Sequence, residues 1–156
     1  MDFHPLVIHY PIAFLTTYAV FELLRSRKIV ELPYWFYIKA ALVTIGEMSA
    51  IVTFTAAMIS NTLSVENRLV EMYKLFMLSA AIIFGIITLV YIYEWRKSEK
   101  YGSIPQLGSS TSKFIVLLAI SGFFFIVIAG GFFGATVYGT QFDPYLAPIF
   151  KLLKVY

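Results

Sequence analysis

A chain of 156 residues in which 60% are apolar and 13% are charged has too little charge to cover a water-facing surface, because a soluble domain carries about 25% charged residues. The net charge of +3, with no basic run interleaved with aromatics, argues against nucleic acid as a partner. Cysteine is absent, which removes disulfides, thiolate metal sites and cysteine nucleophiles, and two histidines leave few ligands for any haem or metal site.

The opening stretch, Phe3 to Ala13, holds both histidines, His4 and His9, among two prolines. Asp2 stands where a secretory signal would carry positive charge, so the run that follows is expected to be retained. Four apolar stretches, Pro5 to Leu24, Tyr34 to Ile59, Leu69 to Trp95 and Phe114 to Tyr138, reach the ~20 residues that cross a bilayer. Lipid offers no partners for backbone N–H and C=O groups, so each stretch is predicted to be a helix. The expected fold is an all-α integral membrane protein, a bundle of four transmembrane helices. Pro5 suits a helix start, whereas Pro11 is expected to kink the first helix or delay its start.

The first connection carries Arg25, Arg27 and Lys28, and the third carries Arg96, Lys97 and Lys100 before a Gly-Ser-Ser-Thr-Ser run that reads as a flexible loop. Ser60 to Arg68 is polar and nearly neutral. The positive-inside rule therefore puts the first and third connections in the cytoplasm and both termini on the outer face of the plasma membrane. Tyr34, Trp35, Tyr37, Tyr91, Tyr93, Trp95 and Tyr101 read as the aromatic belt of the cytoplasmic side. Residues 1–142 form the expected transmembrane domain. Residues 143–156, with Lys151 and Lys154 opposite Phe150 and Leu153, read as a short interfacial helix or a tail docked on another subunit.

Gly130 and Gly134 make a small-xxx-small pair on the last helix, supported by Ala119, Gly122, Ala129 and Ala135 and facing Ser79, Ala80, Ala81 and Gly85 of the third. Glu47, in the middle of the second apolar stretch, is the outlier. A charge at that depth costs about 2.5–3.5 kcal/mol on insertion scales. It is a proton-carrying carboxyl, an acceptor for a quinone or cofactor, or a tie between helices through Thr44, Ser49, Thr53 or a tyrosine. His4 and His9 would point about 140° apart on a straight helix. Their alternatives are helix capping, haem or metal ligation, and quinone or proton handling. Lys39 and Lys74 are expected to snorkel, Glu22 and Glu94 to be rim charges, and Glu71 to pair with Lys74. No motif assigns a catalytic residue.

The run His4-Pro5-Leu6-Val7-Ile8-His9-Tyr10-Pro11-Ile12-Ala13 resembles the opening of an uncharacterised family of small four-helix membrane proteins, with His-Pro, three residues, then His, an aromatic, Pro, Ile and Ala or Gly. Gly130-Gly131-Phe132-Phe133-Gly134-Ala135-Thr136-Val137-Tyr138-Gly139 is similar to that family's glycine-rich last helix, with altered spacing. The family's association with Rieske iron–sulfur domains implies a respiratory or redox setting. Its further histidine at the start of the third helix has no counterpart here, where Glu71-Met72-Tyr73-Lys74 stands. The resemblance, the small size and the aromatic-rich helices together lead to the expectation of an accessory subunit of a membrane respiratory assembly, held in the lipid bilayer among other membrane subunits. Two alternatives accompany it: a small b-type cytochrome or quinone-interacting protein using His4 or His9, and a proton or ion transporter using Glu47.

Overall fold

In the computed structural model, which describes residues 4–24, 32, 34–59 and 68–138, with side chains for 9–24, 32, 34–55 and 68–135, all regular secondary structure is helical. The four helices are α1 (His4–Leu23), α2 (Trp35–Ile59), α3 (Arg68–Tyr101) and α4 (Ser109–Tyr138). Over Trp35–Thr55, Arg68–Tyr101 and Ser109–Ala135 they are long and apolar enough to cross a membrane. The tail at 143–156, and most of the first and second connections, lie outside the described residues.

Packing runs round a ring, with α3 against α4 and α1 against α2 as the two principal hairpins, joined by α2 with α3 and α1 with α4. Neighbours are antiparallel. Residues near the end of α1 meet the start of α2, as Phe21 stacks on Trp35 at 5.1 Å. Residues early in α3 meet the end of α4, as Tyr73 packs on Phe133 at 5.6 Å.

Each helix end follows from local chemistry. Pro11 lies inside α1, which already begins at His4, so it does not delay the start. The carbonyl of Tyr34 accepts the first α2 hydrogen bond, from Ile38 N–H at 3.0 Å. α3 continues past Trp95 to Tyr101, carrying Arg96, Lys97, Glu99 and Lys100 as exposed helical residues. It stops at Gly102, whose φ of 60° favours glycine. There Ser103 N–H bonds Ser98 C=O at 3.0 Å and Gly102 N–H bonds Glu99 C=O at 3.4 Å, the double closure of a Schellman motif. The serine-rich run expected to be loop is instead the first turn of α4, opened by Ser112 N–H bonding the carbonyl of Gly108 at 2.8 Å.

Between apolar helices in lipid, association comes from close packing rather than from water exclusion. Two glycines permit it here. A Cβ on Gly46 would stand 2.6 Å from Leu15 Cδ2 and 3.1 Å from Phe14 Cβ, so Gly46 is where α1 crosses α2. A Cβ on Gly122 would stand 2.7 Å from Phe84 Cε2 and 3.2 Å from Ile83 Cγ2, so Gly122 is where α3 crosses α4. Ala119, Ala129 and Ala135 are buried on the same helix. Gly130, expected at this contact, is not part of it among the described residues: a Cβ there would meet none of them within 4 Å, and the residue is exposed. Gly134 is half-buried.

The belt also divides. Tyr34, Tyr37, Tyr93, Trp95 and Tyr101 are exposed, whereas Trp35 and Tyr91 are buried. The core has two clusters. One, built on Tyr18, Phe84, Ile87 and Tyr91, fills the end where α1 meets α2. The other, built on Tyr73, Ala129 and Phe132, fills the opposite end between α3 and α4, where Phe76 stacks on Phe132 at 5.7 Å.

Because Phe84 and Leu15 are themselves buried and have nowhere to go, Gly122→Val and Gly46→Val are expected to lower stability by about 1–3 kcal/mol, the usual range for overpacking. Gly130→Leu is expected not to lower it, and to raise it by up to about 1 kcal/mol. Thermal unfolding of the three variants in one detergent measures the difference.

Candidate functional site

Polar side chains in a helix bundle this apolar are few, and burial makes each of them expensive unless it is paired. The end of α1 and the start of α2 bring together two that form such a pair. Glu22 is 3% exposed, and its Oε2 lies 2.9 Å from Lys39 Nζ. The same oxygen accepts a hydrogen bond from Tyr91 OH of α3 at 2.9 Å. The Lys39 ammonium also stands 5.8 Å from the centre of the Tyr91 ring, within reach of a cation–π attraction. Tyr91 is held in turn by edge-on contact with Tyr18 at 6.0 Å and by Phe36 at 5.0 Å. Three helices thus meet at one carboxylate.

This corrects the expectation that Glu22 is a rim charge and that Lys39 snorkels outward. Lys39 sits a full turn inside α2, between Ile38 and Ala40. In an antiparallel hairpin that depth matches Glu22 on α1, so an inward ion pair is closer at hand than water. The clue available in the sequence was this equality of depth across the first connection. Glu94 behaves as expected, pairing at 3.5 Å with the exposed Lys97.

Glu47 lies in the middle of α2 and is 7% exposed. It faces Gly85 of α3, whose added Cβ would stand 3.6 Å from Glu47 Oε1. Its Oε2 is buried and has no hydrogen-bond partner among the described residues. The expected tie through Ser49 is not made, since Ser49 donates instead to Gly46 C=O at 2.8 Å. Thr53 donates to Ser49 C=O at 2.8 Å. Two more buried oxygens, Tyr18 OH and Thr88 Oγ1, also have no partner among the described residues.

The histidines are not joined to this acid. His9 is exposed on the outer surface of α1, beside the exposed Tyr10, while Glu47 is inside. The His4 side chain lies outside the described residues. Among those residues, His, Asp and Glu are nowhere grouped by three or more in a way that could hold a metal ion. Tyr10 also borders a shallow apolar groove of about 420 Å³ on the outside of α1 and α2, lined by Thr44, Ile45, Met48, Ser49 and Val52. No family model, curated protein or solved structure matches the chain, so its site is read from its own residues.

The buried pair makes a specific demand. Removing one partner leaves an uncompensated buried charge, a loss of about 3–5 kcal/mol. Glu22→Gln and Lys39→Met are each expected to destabilise by that order. The double variant Glu22→Gln/Lys39→Met is expected to regain most of it, because no charge remains unpaired. A double-mutant cycle read by thermal unfolding separates this coupling from simple additive loss.

Proposed function

We propose that the protein is a four-helix transmembrane accessory subunit of a membrane electron-transfer assembly, occupying the lipid alongside larger subunits. Gly130 is the observation that carries this reading. It is exposed, in an apolar span of α4, with open space where a side chain would stand. Glycine weakens a helix by roughly 1 kcal/mol relative to alanine, and no contact within the described chain accounts for it there. Small residues on the outside of membrane helices suit close approach by another helix, so a partner helix explains what the isolated bundle does not. Val127 and Phe124, exposed on the same helix, extend the surface available to it. The respiratory setting rests on the family resemblance of the opening motif. Exposed His9 is then placed to meet a neighbour or its cofactor rather than the bundle interior.

The chain has no cysteine of its own, so a single introduced thiol reports one position. Gly130→Cys in native membranes is expected to cross-link through a short bifunctional reagent to a different, larger membrane protein. Gly130→Leu is expected to release the chain from that partner during mild extraction while its own unfolding temperature does not fall. A chain that purifies alone, and cross-links at position 130 to nothing or only to itself, would overturn the reading. Absorption spectra of the co-purified material, with His9→Ala alongside, show whether any haem depends on this chain.

A further inference from the structure

The unpartnered buried oxygens are not scattered through the bundle. α3 supplies the scale. Gly85 faces Glu47, Thr88 lies one turn further along, and Tyr91, which bonds Glu22, lies one turn beyond that. From α1, Tyr18 reaches the same region. It packs edge-on against both Phe84 and Tyr91, at 6.2 Å and 6.0 Å, with its hydroxyl buried and without a hydrogen-bond partner among the described residues. Glu47 at the level of Gly85, then Thr88, then Tyr91 with Glu22 thus run from the middle of the bundle to its Lys39 end, with the Tyr18 ring packed against Phe84 and Tyr91 on the same stretch.

Gly85 to Tyr91 is a rise of about 9 Å along a helix at 1.5 Å per residue. Hydrogen-bonded oxygens stand about 2.8 Å apart, so two or three intermediate oxygens bridge that distance. Thr88 and Tyr18 supply two hydroxyls on that stretch, neither bonded to another group among the described residues, so the remaining steps fall to water. Each is a hydroxyl, able to donate and accept at once. Buried polar groups are rarely left unsatisfied, and buried water is the usual partner where protein provides none. The outer edge of the cluster is not sealed, since the Lys39 side chain is 12% exposed against 2% for Glu22.

We propose that Glu47 is an internal proton-binding site, exchanging its proton with the Lys39 end of the bundle along Thr88, Tyr18 and the Tyr91–Glu22 pair. A proton delivered to one oxygen of the column displaces the proton that oxygen already carried to the next. The hydroxyls thus end unchanged, and only Glu47 passes between carboxylate and carboxylic acid. The titratable groups turned toward the column are Tyr18 and Glu22 from α1, Lys39 from α2 and Tyr91 from α3. Of α4 only Lys113 could contribute among the described side chains, and it is exposed. His9 and Tyr10 are exposed on α1, and Tyr73 faces the opposite end with Phe133. The column is a property of this chain alone and does not rest on the accessory-subunit reading.

Infrared difference spectra of the full chain in lipid nanodiscs test it, using the carbonyl stretch of a protonated carboxyl. Wild type is expected to show such a band, absent from Glu47→Gln, that shifts when the solvent is exchanged for deuterium oxide. Thr88→Val and Tyr18→Phe are expected to slow that shift by about fivefold to tenfold, the equivalent of roughly one lost hydrogen bond. Thr88→Ser, which keeps the hydroxyl, is expected to restore it, and thermal unfolding confirms that each variant is folded. The proposal is overturned by a folded protein with no Glu47 band at any pH tested. A band inert to deuterium, or an exchange rate indifferent to Thr88→Val, overturns it equally.

Discussion

One carboxylate oxygen, Glu22 Oε2, holds the Lys39 end of the bundle in register. It takes the Lys39 ammonium and the Tyr91 hydroxyl at the same distance of 2.9 Å, so it fixes α1, α2 and α3 against one another at a single point. In an apolar environment such a point specifies more than it stabilises. The desolvation of both charges offsets much of their attraction, but any sliding of α1 along α2 would strand a charge among methyl groups. Apolar packing alone penalises sliding weakly, because one leucine contact resembles another. The aromatic shell of Tyr18, Phe36 and Phe84 then becomes the medium in which that contact acts. It excludes water and turns the Tyr91 ring face toward the ammonium.

The two glycine crossings complete the constraint at different depths. Gly46 brings α1 and α2 together beyond the ion pair, and Gly122 brings α4 onto α3. Neither crossing is polar, so neither chooses a register by itself. Both become specific because the ion pair and the aromatic contacts have already set the alignment. The outward faces carry no comparable pattern. Ile45, Met48, Val52, Leu78, Ile82, Ile86 and Leu89 are simply exposed and apolar, as a surface solvated by lipid tails should be. Gly130 stands out on that surface because it adds nothing to it.

Much of this was legible in the sequence, and the parts that were not share a cause. The helix spans depend on length and apolar composition, which are local properties, and Tyr34 to Ile59 or Phe114 to Tyr138 required little else. Extensions beyond the apolar runs were harder. The residues from Arg96 to Tyr101 are mostly polar yet helical, because a helix already well over seven turns long continues cheaply until Gly102 stops it. Which face of each helix turns inward was illegible for a different reason. A helix apolar all round has no moment to orient it, so Tyr91 could be mistaken for belt and Gly130 for a crossing. Charges near helix ends were read as seeking water, and Glu22 with Lys39 found each other instead. The inward position of Glu47 was legible, since a carboxyl at that depth has few alternatives.

The contrast between the two buried acids carries the functional argument furthest. Glu22 and Glu47 have the same side chain and comparable burial, but the bundle treats them oppositely. Glu22 is met by a cation and a hydroxyl, the Lys39 ammonium and the Tyr91 OH. Glu47 is set against Gly85, which offers no polar group, while Ser49 on its own helix turns back to the backbone. A carboxyl serving only to tie helices together would be expected to find a donor across the interface, as Glu22 does. With its Oε2 lacking a hydrogen-bond partner among the described residues, Glu47 can hold or release a proton there with little rearrangement of its neighbours. On α3 it faces a glycine, whose added Cβ would stand 3.6 Å from Glu47 Oε1. With Thr88 and Tyr18 also lacking hydrogen-bond partners among the described residues, the interior has a polar side on which charge can be redistributed and an apolar remainder on which it cannot.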